Sequence, residues 1–464
     1  MPASNFLVPD HATVPDPLPL ILVHGYSATG AAFAPWVAAL TNRGYGVKMV
    51  HVSTYRSLSN ELTISDIAEG FDRALRIRAG LDGDEPFDAI VHSTGMLVLR
   101  AWLASYAERR DRLKHLIALA PATFGSPVAH KGRSWLGAVF KGNRELGPDF
   151  LEAGDRILEG LELASRYTWD LAHLDLLGEE TFYGPTRTTP FVFTFCGTRG
   201  YSGLRGLLNA PGGDGVVRWA GCPLNVRKIV LDLTVDPARI DAPERVSIAP
   251  WTNVDVPLIP IDRVNHGTIL SAPSAQLLDL VESALGVSSA AAFASWVEDA
   301  RRQTAAVRKK LDEWQQFIVR VIDERGDPVT DYNVQLYGRT RGSSERNLRA
   351  FATDVHVFRG DPSLRSFHVN LSRVKAGDLD SLLLRIIASS GSQLVGYTGF
   401  GSDRIGDTSS GTTFEGKWDG SLDLSELLGD AAVSFFYPFT TTLIEIRINR
   451  EPLPLVGRNE VFWF

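Results

Sequence analysis

A serine, an aspartate and a histidine, in that order along the chain, have the types and settings needed for acyl transfer. Ser93 ends an apolar run, A-I-V-H-S-T-G at 89–95. Asp214 lies in G-G-D-G-V-V at 212–217, and His266 lies in R-V-N-H-G at 263–267. A serine hydroxyl attacks a carbonyl when a base takes its proton, a carboxylate orients that base, and amides hold the oxyanion. The order serine, acid, histidine is the one expected when the nucleophile sits on a sharp strand-to-helix elbow. His24-Gly25-Tyr26 ends an early apolar strand. Its glycine lets the backbone turn beside a pocket, which offers the Tyr26 amide as one oxyanion donor. The Thr94 amide is the other, at a helix N-terminus whose dipole favours developing negative charge.

Each assignment has a plainer reading. Ser93 can be an ordinary helix N-cap, and Val91 stands where the elbow pattern G-x-S-x-G has its first glycine. Asp214 can be a turn aspartate, since Asp-Gly is a common turn pair. Its rivals are Asp232, Asp236, Asp241, Asp255 and Asp262. His266 is the only histidine between the acid and a later charged helix. His92 is expected to shape the elbow, and His115, His130 and His173 fall in the wrong places in the order.

These residues need rigid elements to meet. Apolar runs at 19–23, 47–52, 87–91, 116–120 and 191–195 read as strands. Helical spacing of three and four recurs at 31–42, 62–79 and 95–107 between them. Strands alternating with helices of this length imply a parallel sheet covered on both faces. The stretch 127–190 breaks that rhythm. It reads as a helical cap, with Trp135, Leu136, Val139, Phe140, Phe150, Leu151, Leu158, Leu161, Tyr167, Trp169, Leu171 and Leu174 on offer to a core or to an acyl pocket. The predicted organisation is an α/β catalytic domain over 1–289, a connecting helix over 290–316, and an all-β sandwich over 317–464. The sandwich reading rests on short alternating runs separated by turn-rich stretches.

Composition narrows the class. The 464 residues carry 47 Lys and Arg against 54 Asp and Glu, a net charge of −7, which argues against nucleic acid as a partner. The first 19 residues lack a basic start and an apolar core, so no signal peptide is expected. No run approaches the ~18 apolar residues that span a bilayer, and the expected location is the cytoplasm. Cys196 and Cys222 are the only cysteines and have no metal-ligand spacing. No metal or cofactor is expected, and two buried thiols are the expected state in a reducing compartment.

With L-I-L-V-H-G-Y, V-H-S-T-G, D-G-V-V and V-N-H-G in place, the chain resembles the α/β-hydrolase superfamily and its lipase-like branch. A-P-A-T-F-G-S-P at 120–127 adds to the likeness, which covers roughly 18–285. It is similar to bacterial triacylglycerol lipases, lecithin–cholesterol acyltransferase-like enzymes and GPI inositol-deacylase-like lipases. The resemblance implies Ser93 as nucleophile, Asp214 as acid, His266 as base, and Tyr26 and Thr94 as oxyanion amides. Some lipases of this kind also carry a disulfide near the acid. Val91 and an added strand with a Pro/Asp-rich excursion between acid and base depart from the pattern. The implied function is hydrolysis of a carboxylic ester of a lipid-like or acyl substrate. The alternatives are an acyltransferase with the same triad and a catalytically silent fold used for binding. The sandwich is read as a brace, or as a surface for lipid or protein contact.

Overall fold

The computed structural model describes residues 17–452, except 27, 29, 46–49, 54–59, 130–153, 181, 185–187, 203–208, 254–255, 393, 402–416 and 430–433. Strands and helices are numbered here in chain order. The first sheet contains β1 (Leu20–Val23), β2 (Val50–Ser53), β3 (Phe87–His92), β4 (Leu113–Leu119), β5 (Phe191–Gly197) and β8 (Leu258–Ile261), in the spatial order β2-β1-β3-β4-β5-β8. Every neighbouring pair is parallel. All the residues of β1, β3 and β8 are buried, as continuous apolar strands are when helices cover both faces.

The helices that cover it follow from patterning and caps. In α2 (Ile64–Ile77), Ile64, Ile67, Phe71 and Leu75 lie on the buried side. Thr63 closes a reciprocal capping box with Asp66, which satisfies two orphan amides at the start of the helix. α3 (Gly95–Ser105) is buried from Gly95 through Leu103. α1 (Ala34–Asn42) buries Trp36 and Leu40, and α6 (Ala275–Leu285) buries Leu277, Leu280, Val281 and Ala284. The described part of the cap forms α4 (Asp155–Leu161) and α5 (Arg166–Asp175). Of their large side chains, Leu158, Leu161, Trp169 and Leu171 belong to the apolar core around the first sheet and Tyr167 packs against it, whereas Leu174 is exposed and serves neither core nor pocket. Trp135, Leu136, Val139, Phe140, Phe150 and Leu151 lie outside the described residues. The charged helix predicted over 290–316 is shorter: α7 spans Ala290–Arg308, and a strand begins at Trp314.

The remaining strands form two packed sheets. One holds β10 (Tyr332–Thr340), β11 (Arg346–Asn347), β14 (Leu379–Ser389) and β16 (Lys417–Asp423), all antiparallel. The other runs β12 (Val355–Val357), β13 (Leu364–Asn370), β9 (Trp314–Asp323), β17 (Thr441–Pro452), β6 (Val226–Asp232) and β7 (Val246–Ile248), with β15 (Val395–Thr398) also paired to β17. Their facing side chains, among them Val319, Val321, Leu384, Ile386, Trp418, Ile444 and Ile446, make a second apolar core. The apolar run V-F-W-F at 461–464, which suits a strand of this sandwich, lies outside the described residues.

This second sheet crosses the boundary expected at 289–317. β6 and β7 come from the catalytic half of the sequence, yet β6 pairs in parallel with β17 from Val226↔Thr441 to Asp232↔Arg447. Ile229 and Leu231 of β6 fill the second core. The added strand between acid and base is therefore a strand of the C-terminal sheet. Alternation explains why it reads ambiguously: the apolar face of β6 is satisfied by residues more than two hundred positions away.

Candidate active site

Ser93 stands immediately after β3 with φ 55°, a left-handed conformation that is uncommon for a residue with a side chain. The turn around it is pinned. The Ser93 amide donates to the Leu119 carbonyl at 3.2 Å, and the Ser93 carbonyl accepts from the amides of Ala122 and Met96, both at 3.1 Å. Two glycines allow the chain to close here. A Cβ at Gly25 would lie 2.8 Å from the Ser93 Cβ, and one at Gly95 would lie 2.8 Å from the Val23 carbonyl oxygen. Strain held by surrounding structure at one residue is typical of functional turns, and a plain N-cap needs none of it.

Val91 is accommodated by its neighbours. Its register partners are Val23 on β1 and Ala118 on β4, and its side chain is fully buried in the core. The close contacts of the turn fall on Gly25 and Gly95 instead.

Asp214 and His266 are both fully buried and meet directly. The His266 Nδ1–H donates to Asp214 Oδ2 at 2.9 Å. Asp214 Oδ1 accepts from the amides of Val216 at 3.0 Å and Val217 at 2.9 Å. The backbones are joined too, since the His266 amide donates to the Asp214 carbonyl at 3.1 Å. With Nδ1 carrying the proton, Nε2 of His266 is the unprotonated ring nitrogen, the one able to accept a proton. The loop carrying His266 approaches β5 so closely that a Cβ at Gly197 would lie 2.2 Å from the Val264 carbonyl oxygen. Asn265 Oδ1 caps the turn that follows, accepting from the amides of Gly267 and Thr268.

His92 links this pair to the nucleophile turn. Its Nε2–H donates to the His266 carbonyl at 3.0 Å, and the two rings lie 4.7 Å apart, centroid to centroid. Burial and the neighbouring His266 hold the His92 imidazole well below its ordinary pKa, so it serves as a neutral donor. His92 thus ties the turn after β3 to the loop that carries His266.

The two oxyanion candidates flank the serine. Thr94 is the N-cap of α3, where amides have no intrahelical acceptor. Tyr26 is buried and follows Gly25, the residue packed on the Ser93 Cβ. The rival acids lie elsewhere. Asp232 accepts from Thr234 on the C-terminal sheet, Asp236 caps an exposed turn at Ala238, and Asp241 and Asp262 are paired with surface arginines. Asp255 lies outside the described residues. His115 pairs with Asp88 at 2.6 Å, and His173 donates to the Trp169 carbonyl. His130 lies outside the described residues.

Cys196 and Cys222 are free buried thiols, with the sulfurs 3.7 Å apart. Cys196 Sγ also lies 3.7 Å from Asp214 Oδ2. Burial pushes both thiols up from their ordinary pKa, which keeps them protonated and poorly nucleophilic. Among the described residues no cluster of His, Cys, Asp and Glu could hold a metal ion.

No family model and no curated protein matches the sequence. Solved structures do. Phospholipase PlaB from Legionella pneumophila is similar with a TM-score of 0.74 and 22% identity, covering 96% of each chain. The structure of PlaB in complex with thio-NAD gives 0.74 at 21% identity with the same coverage. The mature form of Bacillus licheniformis lipase BlEst2 is similar over 57% of this chain and 92% of its own, at 15% identity and a TM-score of 0.39. The chain has the α/β-hydrolase fold.

Within this fold the cap helices act first as packing. Arg100 on α3 and Asp175 on α5 form a fully buried, two-pronged ion pair, with both contacts at 2.7 Å. Tyr183 donates to Asp175 at 2.6 Å, and Arg100 also donates to the Thr123 carbonyl. The helix that follows Ser93 is thereby fastened to the cap. The sequence does not single out Gly197, which lacks a motif, or the side chains that reach the acid loop from the C-terminal sheet. Contacts between residues a hundred positions apart leave no local signature. Among the described residues no helix is long and apolar enough to cross a membrane.

Proposed function

We propose that the protein is a serine hydrolase that cleaves a carboxylic ester of a lipid-like or acyl substrate. The observation that carries this reading is the buried Asp214–His266 pair, joined through His92 to the left-handed Ser93 turn. In this reading Ser93 Oγ attacks the ester carbonyl while His266 Nε2 takes its proton. Asp214 holds the ring in the correct tautomer and stabilises the imidazolium. The amides of Tyr26 and Thr94 receive the oxyanion. His266 then protonates the leaving alcohol, and the acyl-enzyme is released by a water that the same nitrogen deprotonates.

The full-length likeness to a phospholipase supports phospholipids as the first substrates to examine. The expected outcome is covalent labelling of Ser93 by a fluorophosphonate. Turnover of p-nitrophenyl esters and phospholipids should fall at least 10³-fold in Ser93→Ala. A well-folded wild-type protein that takes no label and cleaves none of these esters overturns the reading.

A further inference from the structure

The acid loop is glycine-rich, with Gly212, Gly213 and Gly215 surrounding Asp214. Gly212 and Gly215 have φ of +70° and +103°. Such a loop has much conformational freedom to lose, so its order requires contacts from outside. They come from the C-terminal sheet. The rings of Trp314, at the start of β9, and His368, on β13, stack at 4.3 Å with 16° between their planes. They press against Gly212: a Cβ there would lie 2.7 Å from the indole and 2.8 Å from the imidazole. The Gly212 carbonyl is fixed from the other end of the loop by the Trp219 amide at 2.8 Å. Beside it, the buried Arg218 reaches across to Asp354 at 2.5 Å, and the His368 amide donates to the Asp354 carbonyl at 3.0 Å. Thr441 of β17 completes the seam by donating its hydroxyl to the Ala220 carbonyl at 3.1 Å.

We propose that Trp314, His368 and the Arg218–Asp354 pair are positioning residues for Asp214, holding its loop so that one carboxylate oxygen keeps the Val216 and Val217 amides and the other keeps His266. The proposal rests on the hydrolase reading above. These four side chains act through the acid, and a displacement of about 1 Å at a catalytic group can cost roughly 100-fold in rate.

A double-mutant cycle tests this on the full chain. Trp314→Ala is expected to lower kcat on a short p-nitrophenyl ester about 30- to 100-fold, with KM changed less than about 3-fold. Trp314→Phe, which keeps an aromatic face on Gly212, is expected to retain activity within about 5-fold. In an Asp214→Asn background Trp314→Ala should cost less than about 3-fold, because residues acting as one unit are non-additive. Full multiplication of the two losses, or a change confined to KM, overturns the proposal. If Trp314→Ala does not fold, Asp354→Asn carries the same cycle. Hydrogen exchange separates this proposal from the hydrolase reading. Faster exchange of the Val216 and Val217 amides in the variant is expected even if the wild type cleaves no ester. Unchanged protection there overturns the clamp on its own.

Discussion

The two halves of the site are built differently. The half around Ser93, the candidate nucleophile, is local apart from the His92 bond to His266: β1, β3, β4 and α3 lie within about a hundred residues of one another, and Ser93 is fixed by the backbone of Leu119 and Ala122. The acid–base half is not. Between Asp214 and His266 the chain leaves the parallel sheet, contributes β6 and β7 to the C-terminal sheet, and returns through β8. Asp214 is held locally by amides, but its loop leans on Trp314 and His368. The serine can be positioned by one fold unit, whereas the acid and base need two. The C-terminal sheet is a structural part of the site.

Several substitutions break or sharpen that contrast. The largest effect is expected from removing the chain from Trp314 onward, which strips β6 of β17 and uncovers Ile229 and Leu231. That truncation should yield no ester turnover and an aggregating product on size-exclusion chromatography. A monodisperse, active fragment would show the two halves to be separable. Asp214→Asn should lower kcat about 10⁴-fold, as loss of the tautomer-fixing carboxylate does in serine proteases, with an unchanged far-ultraviolet spectrum. On the nucleophile side, Gly25→Ala forces a Cβ into the Ser93 Cβ. It should cost roughly 100-fold in kcat and slow fluorophosphonate labelling in parallel, while Val216 and Val217 exchange as in the wild type.

Two further changes separate stability from chemistry. Asp175→Asn leaves the fully buried Arg100 charge uncompensated and should cost about 3–5 kcal/mol in urea denaturation. At low denaturant, kcat should stay within a few-fold. The smallest effect concerns His368, whose pKa is lowered to about 4 by burial and by the charge of Arg218, against the opposing pull of Asp354. Because the unfolded histidine titrates near 6.5, the unfolded state binds more protons between about pH 4 and 6.5. This group therefore contributes stability that is lost as pH falls through that window. His368→Asn should flatten the dependence of the thermal midpoint over this range. An unaltered slope would place the sensitivity elsewhere.

What could be read from the sequence follows the reach of each interaction. V-H-S-T-G, H-G-Y and V-N-H-G are local turns whose residue types state their geometry, and the structure brings His266 to Asp214 and both, through His92, beside the Ser93 turn. The parallel sheet was legible because buried strands read as unbroken apolar runs. The boundary near 289–317 was not, because nothing in V-R-K-I-V-L-D at 226–232 names a partner at 441–447. The cap also resisted reading. Large apolar residues at helical spacing serve a core and a lid equally well, and Leu158, Leu161 and Trp169 are spent on the core. Trp314 looked like the end of a connecting helix, whereas it opens β9 and covers a glycine in the acid loop.

The pairing of β6 with β17 also sets an order in time. Val226 meets Thr441, so 441 − 226 = 215 residues must be synthesised before that contact can form. Long-range parallel pairing is among the slowest steps of folding, and N-terminal units fold first during synthesis. The Ser93 turn can form early on the nascent chain, but the Asp214–His266 half waits for β17. A candidate site assembled this way is expected to stay silent on the ribosome. Chains stalled before residue 441 should take no fluorophosphonate, and chains released after β17 should take it promptly.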